Sequence, residues 1–248
     1  MNFRSQLILF AISFPTAALF VLAFGMPWWF LLLPIGFLVF HLVMGAIYIQ
    51  RNFFIVSQNV LNTSEKKICL TFDDGIHPDL TPKVLDILSK FQIPAVFFII
   101  GKNIAGNESI LERMVHEGHE VGNHSHDHSF WFDLKSSAAM GEEMRCANQK
   151  IETIIGRPCT IFRPPYGVTN PNLAKAIQQS GMRSIGWSLR SMDTVAKDAG
   201  SLLQKLKSET KPGAIVLLHD RCQITTEVLT DYIEHCLSEG YTFVSLTE

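Results

Sequence analysis

Two adjacent carboxylates, Asp73 and Asp74, followed by Gly75, close a short apolar run. Side by side they repel, so such a pair calls for a nearby cation or a shared proton. Read alone, the triplet is also a turn that caps a helix. His124 and His128 stand four apart, which brings two imidazoles one helical turn from each other and suits a single metal ion. Surface histidines at that spacing are common, so the pair by itself says little, and His126 between them points elsewhere. Joined by a carboxylate, two imidazoles make a set of three protein ligands. That leaves room for water, as in a hydrolytic rather than a closed structural site. Arg163-Pro164-Pro165-Tyr166-Gly167 is a stiff loop whose arginine needs an anionic partner, and Asp73 is the natural one. Leu217-Leu218-His219-Asp220 ends another apolar run with a titratable imidazole. A satisfied core histidine is the default for a lone case; four other polar run-ends shift this one toward function.

The elements that must position these groups alternate along the chain. Apolar runs predict strands over 68–72, 95–100, 120–123, 160–163, 183–187, 214–218 and 242–246. Helical spacing predicts helices over 81–91, 107–117, 134–155, 172–180, 199–208 and 225–238, the first with Thr81 as N-cap and Pro82 at its first position. Seven strands alternating with six helices imply parallel strands joined by right-handed crossovers. The pattern leaves open whether the sheet is doubly wound or closed into a barrel. Asp73, Asp74, His124, His128, Arg163, Tyr166, Asp193, His219 and Asp220 all fall at or just after strand carboxyl ends, where sites of parallel α/β folds assemble.

Ahead of this region the chain changes character. Of 248 residues, the first 50 include one charged side chain, Arg4, and no Asp, Glu, Lys or Arg occurs between Leu7 and Gln50. One spanning helix needs about 20 apolar residues, and a signal peptide has an apolar core of roughly 7–15. The run exceeds both. Gly25-Met26-Pro27 divides it into 7–24 and 28–49, with Trp28-Trp29 where an interfacial aromatic belt falls. Pro15 and Pro34 are tolerated within membrane helices. The expected organisation is a two-helix transmembrane hairpin over 1–51, a linker over 52–66 and a catalytic domain over 67–248. Arg4 before the hairpin, and Arg51, Lys66 and Lys67 after it, place both ends and the domain in the cytoplasm by the positive-inside rule. The alternative is a single anchor with the domain outside.

From Asn52 onward the chain has 19 basic and 23 acidic residues, a net of −4. A mildly acidic domain is no general phosphate-binding surface, so nucleic acid is excluded as a partner. The composition also excludes a wholly soluble chain, disorder, collagen-like repeats and a disulfide-dense mini-domain. Cys69, Cys146, Cys159, Cys222 and Cys236 are odd in number without CxxC spacing, which points to free thiols in a reducing compartment.

Thr71-Phe72-Asp73-Asp74-Gly75, His124-Ser125-His126-Asp127-His128, Arg163-Pro164-Pro165-Tyr166 and Leu217-Leu218-His219 resemble, in order, four motifs of the polysaccharide deacetylases, the NodB-homology group or carbohydrate esterase family 4. The resemblance runs from about Lys67 to the end. It implies an α/β fold, a distorted (β/α)7-type barrel, and a divalent metal, most commonly Zn2+. It implies Asp73 as general base, Asp74, His124 and His128 as metal ligands, and Arg163 as the group orienting Asp73. The backbone N–H of Tyr166 would complete an oxyanion hole, Leu217 would line the acyl pocket and His219 would be the general acid. Pro165, Trp187 and Arg190 would complete the substrate pocket.

One motif departs from the family pattern. In Trp187-Ser188-Leu189-Arg190-Ser191-Met192-Asp193-Thr194 an aspartate is usual where Arg190 stands, and a tryptophan where Thr194 stands. Asp193 is retained and is expected to orient His219. Arg190 would meet an anionic group on the substrate or remain a solvated surface cation. The expected activity is hydrolysis of an N-acetyl or N-formyl group from an amino sugar. The sugar is lipid-linked or nucleotide-linked if the domain is cytoplasmic, and peptidoglycan or another N-acetylhexosamine polymer if it is outside. A barrel that has lost catalysis and only binds is the remaining alternative.

Overall fold

The computed structural model describes residues 2–246, so Met1 and the last two positions of the expected 67–248 domain lie outside the described residues. Two apolar helices come first, α1 (Phe3–Phe24) and α2 (Leu32–Ile47), joined through a 3-10 turn at Trp28–Leu31. At 1.5 Å per residue α1 is about 33 Å long, enough to match a hydrocarbon core of about 30 Å. Both helices leave most of their apolar side chains exposed. Their open ends meet the rest of the molecule. The Phe3 N–H donates to the Phe53 carbonyl (3.1 Å), and Gly45 sits so close to the Phe53 ring that a Cβ there would lie 2.2 Å from it.

The remainder is built from β1 (Ser57–Gln58), β2 (Lys67–Gly75), α3 (Thr81–Phe91), β3 (Ala95–Ile99), α4 (Glu108–His116), β4 (Glu120–Asn123), α5 (Ser137–Ile155) and β5 (Ile161–Phe162). There follow α6 (Pro171–Ser180), β6 (Arg183–Ile185), β7 (Leu189–Arg190), α7 (Ala199–Glu209), β8 (Ile215–His219), α8 (Gln223–Ser238) and β9 (Thr242–Phe243). These strands pair in parallel along the path β1-β6-β5-β4-β3-β2-β8-β7, and β9 joins the start of β2. β6 and β7 are two ends of one run separated only by residues 186–188. The first end pairs with β5 and the second with β8, which curls the sheet back on itself as a distorted barrel.

Among the described residues nine strands replace the seven expected. β7 is the continuation of the predicted 183–187 strand onto a new neighbour. β1 comes from the 52–66 segment expected as a linker, which pairs with β6 and buries Phe53, Ile55 and Leu61. That segment is bound into the fold because its backbone completes the exposed edge of β6. The six domain helices fall where periodicity placed them, with ends shifted by up to three residues. Asn170 and Ser136 accept the Leu173 and Ala139 N–H groups as N-caps of α6 and α5. Thr81, expected as the N-cap of α3, does not cap it. It is the first helical residue of α3, and its hydroxyl accepts the His77 N–H (2.8 Å) and donates to Asp220 (2.6 Å) instead.

The central strand β2 has neighbours on both sides and is buried from Ile68 to Gly75, as expected of a strand covered on both faces. Its side chains alternate: Leu70 and Phe72 face the helices with Val84, Leu85 and Leu88, whereas Cys69 faces the barrel interior with Phe98, Ile185 and Leu217. Thr71 and Asp73 share the interior side by the same period of two. All five cysteines are free thiols.

Candidate metal and acid–base site

Strict alternation would aim Asp73 into the barrel and Asp74 away from it. The register between β2 and β3 shifts between Asp73 and Gly75, and Asp74 adopts a left-handed φ of 72°. Such an irregularity re-aims a side chain at the end of a strand, so both carboxylates line one cavity. This cavity, about 330 Å³, is also lined by Ile100, Lys102, Asn103, His124, His128, Tyr166, Gly167, Trp187, Arg190, Thr194, Leu217, His219 and Arg221.

The two histidines reach it from a tight loop rather than from one helix face, contrary to the helical spacing expected. Ser125 (φ 66°) and His128 (φ 49°) are left-handed, and local bonds pay for the turn. Asn123 Oδ1 accepts the Ser125 N–H (2.8 Å), Ser125 Oγ accepts the His128 N–H (3.0 Å), and Glu143 Oε2 accepts the N–H groups of His126 (3.0 Å) and Asp127 (2.8 Å). His126 is turned away against Gly101. The Nε2 atoms of His124 and His128 lie 3.5 and 3.3 Å from Asp74 Oδ1. Ligands at 2.0–2.2 Å from a tetrahedral ion stand about 3.3–3.6 Å apart, so this triad fits a divalent ion such as Zn2+. Two further observations agree. Asp74 Oδ1 is buried without a hydrogen-bond partner. The His124 Nδ1–H donates to the Arg163 carbonyl (2.8 Å), which leaves its Nε2 lone pair free for a metal. Burial, followed by the charge of His124, pulls His128 down to about 4, whereas at His124 the carboxylates Asp73 and Asp74 outweigh burial and raise the pKa.

Behind the triad each reactive group has a holder. Arg163 is fully buried; its Nη1 donates to Asp73 Oδ1 (2.7 Å) and Thr71 Oγ1 (2.7 Å), and its Nη2 to the Gly186 carbonyl (2.7 Å). The guanidinium also stacks 4.1 Å over the Phe98 ring. His219 donates from Nδ1 to Asp193 Oδ1 (2.7 Å), while Asp193 Oδ2 accepts the His219 backbone N–H (2.7 Å) and the Thr225 hydroxyl (2.7 Å). Burial alone would lower the His219 pKa; the bond to Asp193 and its charge outweigh burial and raise it. Tyr166 sits at φ 57°, followed by Gly167 at φ 70°. A Cβ on Gly167 would meet Trp187 Cη2 at 2.2 Å, so glycine is required there both by conformation and by close approach.

Residues 61–185 match the family model described as polysaccharide deacetylase. The chain belongs to the polysaccharide deacetylase family. It is 34% identical over 193 residues to the peptidoglycan-N-acetylmuramic acid deacetylase of Bacillus subtilis, covering 75% of this chain and 72% of that one. It is 34% identical over 185 residues to a peptidoglycan-N-acetylglucosamine deacetylase of Listeria monocytogenes, and spans only 39% of that relative's length. Among solved structures, that of the Bacillus subtilis deacetylase superposes with a TM-score of 0.70 at 32% identity, covering 77% of this chain and 83% of the other. A Bacillus anthracis protein described as a family pseudoenzyme gives 0.71 at 28% identity, covering 76% and 66%.

Of the residues singled out in the sequence of this family member, Asp73, Asp74, His124, His128, Tyr166, Trp187, Arg190, Leu217 and His219 line the one cavity. Arg163 and Asp193 stand directly behind it on Asp73 and His219. Pro165 does not belong to the pocket: it is buried beneath the turn, and only its neighbours Tyr166 and Gly167 reach the cavity. Arg221 went unnoticed in the sequence. Its Nε donates to Asp74 Oδ2 (2.7 Å), holding the carboxylate oxygen opposite the one that faces the histidines. Its only sequence signal is adjacency to His219-Asp220. Thr71 stands in the first motif but was given no role there, and Thr225 carried no signal, since a hydroxyl at a helix start reads as filler.

Proposed function

We propose that this chain is a metal-dependent N-deacetylase acting on an N-acetylhexosamine, held at a membrane by α1 and α2. The observation that carries the reading is the convergence, in one cavity, of the Asp74–His124–His128 triad with the Arg163–Asp73 and Asp193–His219 pairs. One of the structural neighbours is described as a pseudoenzyme, so membership alone does not make the case; the complete set of reactive groups supports catalysis over a binding-only role.

A divalent ion held by Asp74, His124 and His128 would polarise the amide carbonyl and acidify a water molecule. The protein's own groups do the rest. Arg163 holds Asp73 by its Oδ1 and aims it into the cavity, where it accepts a proton from the attacking water. The Tyr166 N–H is the donor toward the oxygen that gains negative charge at the tetrahedral stage. His219, whose pKa Asp193 raises against burial, delivers a proton to the departing nitrogen, which is otherwise a very poor leaving group. Leu217 and Trp187 give the acyl methyl an apolar wall. The products are a free amine on the sugar and acetate; a formyl group fits the same steps.

The two relatives above are named for peptidoglycan sugars, and such substrates favour an extracytoplasmic domain over the cytoplasmic one expected from flanking charge. The charge argument has few residues behind it, chiefly Arg4 and Arg51. A lipid-linked amino sugar is the second reading, favoured by the packing of the barrel onto the base of the hairpin, where Gln50 Nε2 donates to the Trp187 carbonyl (3.1 Å). The test is acetate release by the full chain in detergent, with chitooligosaccharide, isolated peptidoglycan and a lipid-linked N-acetylhexosamine as substrates. Asp73→Asn is expected to abolish turnover while metal stays bound, and chelation to abolish it reversibly. Turnover retained in Asp73→Asn refutes the assigned base, and turnover of polymer alone removes the lipid-linked reading.

A further inference from the structure

We propose that the loop following His128 is a second membrane contact: Phe130, Trp131 and Leu134 insert into the headgroup region of the bilayer that α1 and α2 cross. The proposal rests on the reading of those two helices as membrane spans. It adds that the barrel is not merely tethered but seated, with one wall of the cavity at the lipid surface.

Three observations carry it. The side chains of Phe130, Trp131 and Leu134 are 71%, 62% and 76% exposed, although the loop is well held. Phe132 between them is fully buried, and Ser129, Trp131 and Phe132 carbonyls accept the Phe132, Leu134 and Lys135 N–H groups at 2.9, 3.2 and 3.0 Å. The apolar side chains are therefore presented outward by a fixed turn.

The second observation is place. Asn170 Nδ2 donates to the Asp133 carbonyl (2.8 Å), in the middle of this loop. The adjacent Thr169 donates through its N–H to the Ala46 carbonyl (2.9 Å) and through its hydroxyl to that of Gly45 (3.1 Å). Gly45 and Ala46 belong to the last turn of α2, the turn at which the span leaves the bilayer. Two hydrogen-bonded steps thus tie the exposed loop to the membrane boundary itself.

The third is chemistry. A tryptophan flanked by phenylalanine and leucine is the composition that settles at a lipid–water interface. A sugar-stacking platform is the obvious rival, but the neighbouring His128 and Tyr166 line the cavity whereas Phe130, Trp131 and Leu134 do not. Leucine also offers a sugar no ring face. The link to the site is short: ring centroids of Trp131 and Phe130 lie 4.9 Å apart, Phe130 and Tyr166 6.3 Å, and Tyr166 and His128 4.7 Å. A substrate amide anchored at the bilayer surface would meet the triad beside this wall.

The experiment uses the full chain reconstituted into phosphatidylcholine vesicles with bromine on shallow acyl carbons. Trp131 emission is taken as the difference between the Trp28→Phe/Trp29→Phe chain and the same chain with Trp131→Phe added. Bromine is expected to cause a loss of that difference emission, and Phe130→Ser/Leu134→Ser to reduce the loss. Unchanged emission in a chain that stays with the vesicles through alkaline carbonate overturns the loop contact and leaves the hairpin intact. Release of the chain by carbonate overturns the spanning helices and the loop contact together. A change in Trp131 emission on adding soluble chitooligosaccharide in detergent assigns the loop to glycan and likewise overturns the proposal.

Discussion

Asp193→Asn isolates the proton delivery by His219. Asp193 Oδ2 already accepts two donors, the His219 N–H and the Thr225 hydroxyl, each at 2.7 Å. An asparagine therefore places its oxygen at that position and turns its amide nitrogen toward His219 Nδ1. Two donors then face each other unless the ring gives up the Nδ1 proton, so the imidazolium loses its charge-assisted bond. A hydrogen bond to a charged group contributes about 1.5–3 kcal/mol, and 1.4 kcal/mol is tenfold in rate. The expected loss in kcat is about tenfold to hundredfold. The direction in pH follows from the same contact. Asp193 raises the His219 pKa against the lowering effect of burial, so its replacement moves the alkaline limb of the rate profile to lower pH. The assay is acetate release from chitooligosaccharide across pH, with bound metal measured on the same samples. An alkaline limb that stays in place, with metal content and folding intact, removes His219 as the acid.

Three further outcomes are expected. Added Zn2+ at a hundredfold over its Kd stabilises the full chain by about 2.7 kcal/mol, a rise of about 5–10 °C in melting temperature for a domain of this size; His128→Ala removes the rise, and a rise that survives it refutes the triad. Asp220 is fully buried, and burial pushes its carboxyl up to about 7, with the charge of Asp74 adding to the effect and the Thr81 hydroxyl opposing it. The folded state keeps a proton that the unfolded chain releases near pH 4, so stability falls as pH rises from about 4 to 7, by at most about 4 kcal/mol. Asp220→Asn flattens that slope in urea unfolding, and an unchanged slope sinks the assignment. Gly167→Ala drives a Cβ into Trp187 at a left-handed position, with an expected cost of about 1–3 kcal/mol; kcat/KM falls while metal content holds, and wild-type kinetics contradict the close packing.

The order of elements was legible because burial leaves a period. Continuous apolar runs marked β2, β3 and β8, which have partners on both edges, and helical spacing marked α3 to α8. β1 was not legible. Two residues of Ser57-Gln58 carry no period, and they become a strand only because β6 offers an edge. β7 was likewise hidden behind Trp187, where the chain changes neighbours.

At the site, the sequence determined which groups are present and that they sit at strand ends: two carboxylates, two imidazoles, an arginine, and a histidine with a later aspartate. Residue types follow the alternation of apolar and polar along the chain, and that can be read directly. Which oxygen meets which nitrogen could not be, because it depends on departures from regular backbone. The irregularity at Asp74 brings both carboxylates to one side, the left-handed turn at Ser125 and His128 replaces a helix, and Arg221 arrives from the far end of the chain. The hairpin divides in the same way. Its apolar length is a property of the sequence, but the bonds from Thr169 to the end of α2 belong to tertiary structure. Contacts across such sequence separations leave no local pattern, and only the closed fold creates them.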